Sequence, residues 1–390
     1  MSLSNKPGDI TVTTTSLIAP TTTQTIMAIQ GAAHTSPLVD QEVTTTGVVT
    51  AVDSSGYYLQ DPTGDGDIAT SDAVFVFTGD TPTVVVGDNV TITGTVSEFF
   101  PGGSSSGNLS TTQIGSITTT QVNSQGNDLP AAVEIGDDRI APSQNVDGDN
   151  LTDFDAVNDA IDFFESLEAM RVEAEDLVVV GTSRFGEIFG LTNGGDTDNN
   201  RNQAGGVTID ADDYNPNRVQ VDEDSGVFDF SFPNVAVGAQ LGDVTGVVGY
   251  SFGNFEIIPT EDFTSNIVKA PIKNDFTGLE GTANQLTVAS YNVLNLDINE
   301  NDGDTDVADG RFTMLAEDIV YNLRTPDVIA LQEIQDNDGS DDTAVTAADQ
   351  TLQALIDAIT AAGGPAYSYI DNTFITDDAH GGQPGANIRT

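Results

Sequence analysis

Two short polar strings, centred near positions 292 and 333, carry the clearest chemical signal in this sequence. Ser290–Asn295 reads SYNVLN and Leu331–Ile334 reads LQEI, and each string closes an apolar stretch. Asn292 and Glu333 are the residues there that can orient a phosphate or hold a cation. Mg²⁺ prefers oxygen ligands and keeps several waters, so one carboxylate and a substrate phosphate can hold it. The pattern leaves two interpretations open: a metal-dependent phosphodiester site, or an ordinary strand end with a solvated Glu.

The segments around these strings predict a strand, a helix and a second strand. Residues 286–292 and 327–333 are apolar and strand-like, and Pro326 precedes the second of them. Four apolar residues between the segments recur at helical spacing: Phe312, Leu315, Ile319 and Leu323. Such a unit places its two strands side by side and parallel. We therefore expect Asn292 and Glu333 to emerge together at the carboxyl edge of a sheet, where α/β proteins build their sites.

The stretch from Leu286 to Thr390 resembles the first part of the endonuclease/exonuclease/phosphatase family, which has the deoxyribonuclease-I-like fold. SYNV resembles its first-strand Asn motif and LQEI its metal-binding motif, while residues 381–389 resemble the approach to the next central strand in its secreted bacterial nucleases. The resemblance implies that Glu333 binds Mg²⁺ or Mn²⁺ and that Asn292 helps to position metal and phosphate. It also implies a nuclease, with nucleic acid as the partner and DNA as the first choice of substrate.

The later motifs of that family are missing from this chain: a catalytic His, an Asp-x-Asn pair and a closing Asp-His. The sequence contains two histidines, His34 and His380. His34 lies in another predicted domain. His380 lies in a Gly-rich loop and is interpreted as a loop residue rather than a general base. We therefore expect a fragment of a larger nuclease, without a complete active site.

Acidic residues dominate the composition. The chain has 61 Asp and Glu against 11 Lys and Arg, a formal charge of −50, yet 38% of its residues are hydrophobic and it contains 18 Phe, enough to bury cores. It has no Cys, no apolar run long enough to span a bilayer, and no apolar signal segment at its start. Such a charge repels nucleic acid at low salt but is screened in saline water. We expect an extracellular protein of a marine or halophilic source.

The region before residue 286 predicts β modules. Short Val- and Thr-rich segments alternate with Gly, Asp and Pro turns at residues 43–50, 56–60, 73–78 and 89–96. The string PTVVVG at 82–87 has an echo, PNVAVG, at 233–238, which indicates a second copy. The first module, about Ala28 to Phe100, resembles the OB-fold-like domain ahead of the catalytic domain in secreted bacterial nucleases. A helix is expected within residues 153–170.

The expected fold class is therefore two all-β, OB-like barrel modules followed by the N-terminal part of an α/β two-sheet sandwich. The predicted organisation has five parts, namely a Thr/Ser-rich segment at 1–27, an OB-fold-like domain at 28–125, a second β module with one helix at 126–263, a linker at 264–285 and a partial catalytic domain at 286–390.

Several acidic turns have oxygen clusters of the kind that Ca²⁺ prefers. The candidate ligands are Asp65, Asp67, Asp297, Asn299 and Asn301. No turn has complete EF-hand spacing: after Asp297, Gly303 comes one place late and Ala308 stands where the closing Glu belongs. Each turn taken alone is better described as a solvated acidic loop, but with several such turns at least one calcium site is expected. The 297–310 loop is the best candidate because it directly follows Asn292.

The aromatic residues of the first module admit two interpretations. Tyr57, Tyr58, Phe75 and Phe77 can stack on bases, as in OB folds, or pack in a core. Because no Lys or Arg accompanies them, core packing is preferred. The alternative function for the whole chain is a non-catalytic, acidic, calcium-binding adhesion protein with a vestigial nuclease-like domain. The sequence does not indicate an oligomeric state.

Overall fold

The computed structural model of the chain describes residues 22–195, 201–224, 226–270, 275–372, 374–377 and 385–389. It divides into an N-terminal unit, Met1–Pro271, and a C-terminal unit, Ile272–Thr390. Most of the predicted segment 1–27 lies outside the described residues, as does His380.

The first sheet of the N-terminal unit closes on itself. Its strands are β1 (Thr22–Thr23), β2 (Glu42–Val52), β3 (Gly56–Gln60), β4 (Ala73–Phe77), β5 (Asn89–Phe99) and β6 (Thr111–Ser124), and helix α1 (Ile26–Gln30) precedes β2. The order across the sheet is β1-β2-β3-β4-β6-β5, and β5 returns to pair with β2. Half-buried and buried residues alternate along β5, so that Val90, Ile92 and Val96 face the core.

β5 bends at Gly94, where its pairing with β6 slips between Thr93 and Thr95. A Cβ at Gly94 would lie 2.7 Å from the carbonyl oxygen of Gly115. Only glycine therefore lets the two strands approach this closely at the bend, as a closed sheet requires.

The second sheet repeats this arrangement. Its strands are β7 (Val133–Ile135), β8 (Arg171–Val179), β9 (Glu187–Leu191), β10 (Val219–Asp222), β11 (Gln240–Ser251) and β12 (Asn254–Pro259), with helix α2 (Ala160–Glu165) between β7 and β8. The order is β11-β12-β10-β9-β8-β7, and β11 returns to pair with β8. β4–β6 and β10–β12 are the corresponding parallel pairs. The echoed strings at 82–87 and 233–238 lie just before β5 and β11, which hold equivalent places.

The two sheets share one apolar cluster, and a buried carboxylate lies at their junction. Tyr58 of β3 packs in the same cluster as Phe163 and Leu167, next to α2. The carboxylate of Glu168 accepts hydrogen bonds from the backbone N–H of Thr112 (3.0 Å) and from Nε2 of Gln30 (3.2 Å). Glu168 is only 3% exposed. The turn after α2 therefore joins the second sheet to the first.

The C-terminal unit contains the predicted strand–helix–strand unit. β13 (Val288–Leu296) and β14 (Val328–Ile334) are parallel neighbours, and between them α3 (Arg311–Glu317) continues as a π-helical turn over Asp318–Asn322. Helix α4 (Asp349–Ala361) follows β14. Its core joins apolar residues of all these elements: Val293, Leu296, Phe312, Ala316, Ile319, Ile334, Leu352, Leu355 and Ile359.

The expected fold class is wrong. The chain is mostly β-sheet with few, short helices, and it does not follow the expected arrangement of OB-like barrels and an α/β sandwich. Among the described residues of the C-terminal unit the sheet has two strands, β13 and β14, where the sandwich needs two whole sheets. The helix expected within 153–170 is confined to α2, and Val157 is 60% exposed. The carboxylate of Asp155 accepts the backbone N–H groups of Val157 and Asn158, which holds this stretch in a turn.

The buried carboxylates of the N-terminal unit predict a pH-dependent stability. Burial raises the pKa of Glu168 to about 8, despite the hydrogen bonds from Gln30 and Thr112, and burial next to Asp222 raises the pKa of Glu256 to about 8. Both groups are more easily protonated in the folded state. Their contribution to stability is complete below their unfolded pKa and is lost as pH rises through about 8.

We therefore expect the urea midpoint of the N-terminal unit to fall between pH 4.5 and 8, and Glu168→Gln to flatten this dependence. Glu223→Gln, which removes an exposed carboxylate, is the control and should keep the wild-type slope. A Glu168→Gln protein with the wild-type slope would contradict the assignment.

Candidate functional site

Asn292 and Glu333 lie side by side where the regular pairing of β13 with β14 ends. The ladder aligns Asn292 of β13 with Gln332 of β14, the neighbour of Glu333. Nδ2 of Asn292 donates a hydrogen bond to Oε1 of Glu333 at 2.7 Å, while Oδ1 of Asn292 accepts the backbone N–H of Leu294 at 2.8 Å. Asn292 is exposed and Glu333 is half-buried. The amide thus holds the carboxylate in a position that solvent can reach.

Both strands become irregular at this point. Glu333 has φ +60°, and Leu294 and Asn295 both have φ +54°, values that are uncommon for residues with a side chain. The ladder between β13 and β14 is interrupted after Asn292. The N–H of Glu333 donates to the carbonyl of Arg389 at 2.7 Å, and the N–H of Arg389 donates to the carbonyl of Ile334 at 2.9 Å. Strained residues of this kind cluster at functional sites.

Arg311, the first residue of α3, ties the end of β13 to the following loop. Its guanidinium donates to the carbonyl oxygens of Val293 and Leu294 and forms an ion pair with Asp306. The side chain of Asp306 is 2% exposed and that of Arg311 is 22% exposed. Because a planar guanidinium can donate hydrogen bonds to several acceptors at once, the side chain of Arg311 holds both the last part of β13 and the loop that contains Asp306.

The predicted calcium ligands are only partly brought together. Asp297 is fully buried, whereas Asn301 is exposed. Asn299 donates from Nδ2 to the carbonyl of Asp338 at 2.8 Å, and its Oδ1 accepts the N–H of Asn301 at 3.1 Å. The carboxylates that approach Asp297 belong instead to Asp302 and Asp304; one oxygen of each of the three lies within 4.8 Å of the others.

The other predicted calcium turn does not form a cluster of this kind. Asp65 accepts the N–H of Asp67, and Asp67 accepts the N–H of Ala69. Among the described residues, the second close triplet of carboxylates is Glu134, Asp137 and Glu175. Asp65 and Asp67 belong to neither triplet, so the local turn uses their oxygens for its own backbone.

Burial and mutual repulsion dominate the electrostatics of the 297–306 loop. Burial, together with Asp302, Asp304 and Asp306, raises the pKa of Asp297 to about 7. The pKa of Asp304 is also raised, first by burial and then by the carboxylates of Asp306 and Asp302. Such an arrangement favours protons or a bound cation.

The sequence analysis missed a second acidic loop, which follows β14. Asp336 is fully buried, and burial next to Asp338 raises its pKa. Nδ2 of Asn387 donates to Oδ2 of Asp336 at 3.0 Å, and Arg389 pairs with Asp371 at 2.7 Å. The signal was present as the string QDNDGSDD directly after LQEI, but it was not connected with the loop after β13.

Of the four aromatic residues predicted to pack or stack in the first sheet, Tyr57 and Tyr58 are buried, Phe75 is half-buried and Phe77 is exposed. Tyr58, Phe75 and Phe77 line a cavity of about 430 Å³ between the two sheets of the N-terminal unit. Four acidic side chains share this lining: Asp53, Glu168, Asp224 and Glu256. An acidic lining does not suit the phosphates of a nucleic-acid strand.

His34, in the N-terminal unit, contacts a carboxylate and an aromatic ring. Nε2 of His34 lies 2.8 Å from Oδ1 of Asp162, and its ring contacts Phe154 edge-on. The side chain of His34 is 16% exposed. The described part of the C-terminal unit contains no histidine. No general base is therefore assigned beside Glu333 from the described residues.

Comparisons with known proteins match part of the chain to a domain family and do not identify a function. A domain family of unknown function, DUF8508, matches residues 122–269, which is less than half of the chain. No curated protein matches. A solved structure of fission yeast Pot1 with ssDNA matches with 12% identity over 62% of this chain and 86% of that chain, with a TM-score of 0.21. This score is too low to support an argument about fold or function.

None of the described helices is long and apolar enough to cross a bilayer.

The Arg311–Asp306 pair predicts a stability difference between two arginines of the C-terminal unit. Arg311→Ala leaves Asp306 buried without its cation and two carbonyls without a donor, and we expect a loss of roughly 3–5 kcal/mol in the free energy of unfolding. The control is Arg324→Ala, because Arg324 pairs with the exposed Glu280 at 2.8 Å and should cost about 1 kcal/mol or less. Urea unfolding of both variants measures the difference; equal losses would contradict the role of Arg311.

Proposed function

We propose that this chain belongs to a metal-dependent phosphodiester hydrolase, a nuclease with DNA as its first substrate. The observation that supports the proposal is the 2.7 Å hydrogen bond from Asn292 to Glu333, at the point where the regular pairing of two parallel strands ends. The resemblance of both strings to the motifs of the endonuclease/exonuclease/phosphatase family points to the same chemistry.

Glu333 would hold the metal, Mg²⁺ or Mn²⁺. Its carboxylate is half-buried and oriented, and a cation that keeps most of its waters needs few protein ligands. The strained backbone of Glu333 supports this assignment, because such strain is retained where a side chain must be aimed. When bound, the metal neutralises the phosphodiester and stabilises the departing oxygen.

Asn292 would act on Glu333 rather than on the metal. Its nitrogen faces the carboxylate, and its oxygen accepts the N–H of Leu294. This arrangement fixes the orientation of the metal-binding group without adding charge. Partners of metal ligands typically change affinity or activity by about 10- to 100-fold when they are removed.

The net charge of −50 sets the conditions for the proposed activity. Nucleic acid and protein repel one another at low ionic strength, and dissolved cations screen this repulsion. We propose an extracellular enzyme that acts in saline water rich in divalent cations.

The test is cleavage of plasmid DNA, RNA and bis(p-nitrophenyl) phosphate with Mg²⁺ or Mn²⁺. We expect Glu333→Gln to lose about 100-fold or more in rate because the metal loses its carboxylate ligand, and Asn292→Ala to lose about 10- to 100-fold. The matched control is Glu317→Gln, an exposed glutamate of α3.

Two results would overturn the proposal. One is cleavage by Glu333→Gln at the rate of the control variant. The other is a wild-type protein that cleaves none of these substrates with either metal, which would favour the non-catalytic, calcium-binding alternative.

A further inference from the structure

The loop after β13 buries carboxylate oxygens that have no partner. Oδ1 of Asp297 accepts the N–H of Asn299 at 2.6 Å, but Oδ2 is buried and has no hydrogen-bond partner. Asp297 is 0% exposed, and its carboxylate is close to those of Asp302 and Asp304. Oδ1 of Asp302 is also buried without a partner. Buried, unpaired carboxylate oxygens are costly, and a cation is one way to satisfy them.

The loop after β14 closes over these carboxylates. The N–H of Ser340 donates to Oδ2 of Asp302 at 2.7 Å, and Oγ of Ser340 donates to the carbonyl of Asp302 at 2.9 Å. Gly339 has φ +65°, and a Cβ there would lie 2.1 Å from Oδ2 of Asp302 and 2.9 Å from Cγ of Asp297. A glycine is therefore required for the backbone to pass this close to the carboxylates.

The described cationic side chains do not neutralise this cluster directly. Arg311 forms its ion pair with Asp306, and Arg389 forms its ion pair with Asp371. Within the described ranges, no ion pair reaches Asp297, Asp302 or Asp304. Arg311 lowers the pKa of Asp304 without pairing with it, but burial and the neighbouring carboxylates still leave the pKa values of Asp297 and Asp304 raised.

We propose that Asp297, Asp302 and Asp304 bind one divalent cation, with Ca²⁺ as the fitting ion. Ca²⁺ takes several carboxylate and carbonyl oxygens in flexible loop geometry, whereas Mg²⁺ demands a stricter octahedron. All three ligands belong to the loop after β13, and Ser340 of the loop after β14 holds one of them, Asp302. The bound ion therefore stabilises the contact between the two loops that follow Asn292 and Glu333. The proposal that the cation binds depends only on the geometry of the two loops. Any influence of the bound cation on the activity of Asn292 and Glu333 rests on the proposed function.

The experiment is a calorimetric titration of the chelator-treated full chain with CaCl₂. Asp302→Asn keeps the size of the side chain and an acceptor for Ser340 but removes one ligand charge. We expect it to weaken binding at this site by about tenfold or more. Asp357→Asn is the control, since it makes the same change on the exposed face of α4, and it should bind like wild type. Absence of Ca²⁺ binding, or equal loss in both variants, would overturn the proposal.

A second variant keeps the test valid if Asp302→Asn folds poorly. Asp297→Asn removes the most buried charge of the cluster, so we expect the chelator-treated variant to melt higher than wild type because the repulsion is lower. Addition of Ca²⁺ should raise the melting temperature of wild type and leave this variant unchanged. An equal rise in both proteins would contradict the site.

These readouts separate the cation site from the proposed nuclease activity. Neither calorimetry nor melting uses a substrate. Calcium binding without Mg²⁺-dependent cleavage would uphold the cation site and reject the nuclease, whereas cleavage without calcium binding would do the reverse.

Discussion

The shortage of cationic side chains constrains every part of this structure. With 61 acidic and 11 basic residues, most carboxylates have to be solvated or satisfied by something other than Lys and Arg. A buried, unpaired charge costs several kcal/mol, so burial is tolerated only with hydrogen bonds, protonation or a bound ion. One arginine is used where this cost is high, in the pair between Arg311 and the buried Asp306.

The two units meet this constraint differently. At the sheet junction of the N-terminal unit, Glu168 accepts backbone and amide N–H groups and has a raised pKa, so hydrogen bonds and protons satisfy it. In the C-terminal unit, Oδ2 of Asp297 and Oδ1 of Asp302 are buried without donors, and the two carboxylates approach one another. Burial raises the pKa of Asp297 to about 7, so near neutral pH a proton or a bound cation can satisfy this group. The N-terminal unit also buries carboxylate oxygens without a hydrogen-bond partner, for example at Glu165 and Glu175, but its close triplet of Glu134, Asp137 and Glu175 is partly exposed, whereas Asp297 is fully buried.

Patterns within short segments correctly predicted features that depend on nearby residues, namely where strands form. Val- and Thr-rich segments between Gly, Asp and Pro turns located the strands that became β2 to β5. The apolar segments at 286–292 and 327–333 correctly predicted two parallel neighbouring strands, although β13 continues past Asn292 to Leu296. The overall fold class was wrong because it depends on which distant strands pair, and the spacing of residues along the chain does not determine this. The helix expected within 153–170 is present as α2, and it does not extend back to Val157 because Asp155 binds backbone N–H groups that a longer helix would use.

The same limitation applies to the predicted ligands. Asn299 and Asn301 were chosen from EF-hand spacing, but Asn299 uses its oxygen for the N–H of Asn301 and its nitrogen for the opposite loop. Asp302 and Asp304 gather around Asp297 because the loop containing Gly339 crosses above them, a contact between segments about forty residues apart that the spacing within one loop cannot reveal.

Nucleic-acid enzymes commonly neutralise phosphates with Lys and Arg. In this chain the strand ends that carry Asn292 and Glu333 are followed by two acidic loops, so a phosphate could approach only if dissolved cations supplied the positive charge. A divalent ion bound by Asp297, Asp302 and Asp304 would lower the local negative potential and fix the loops in one step. An acidic surface and a phosphodiester substrate are therefore compatible only when cations form part of the folded site, which ties the proposed activity to the ionic composition of the surroundings.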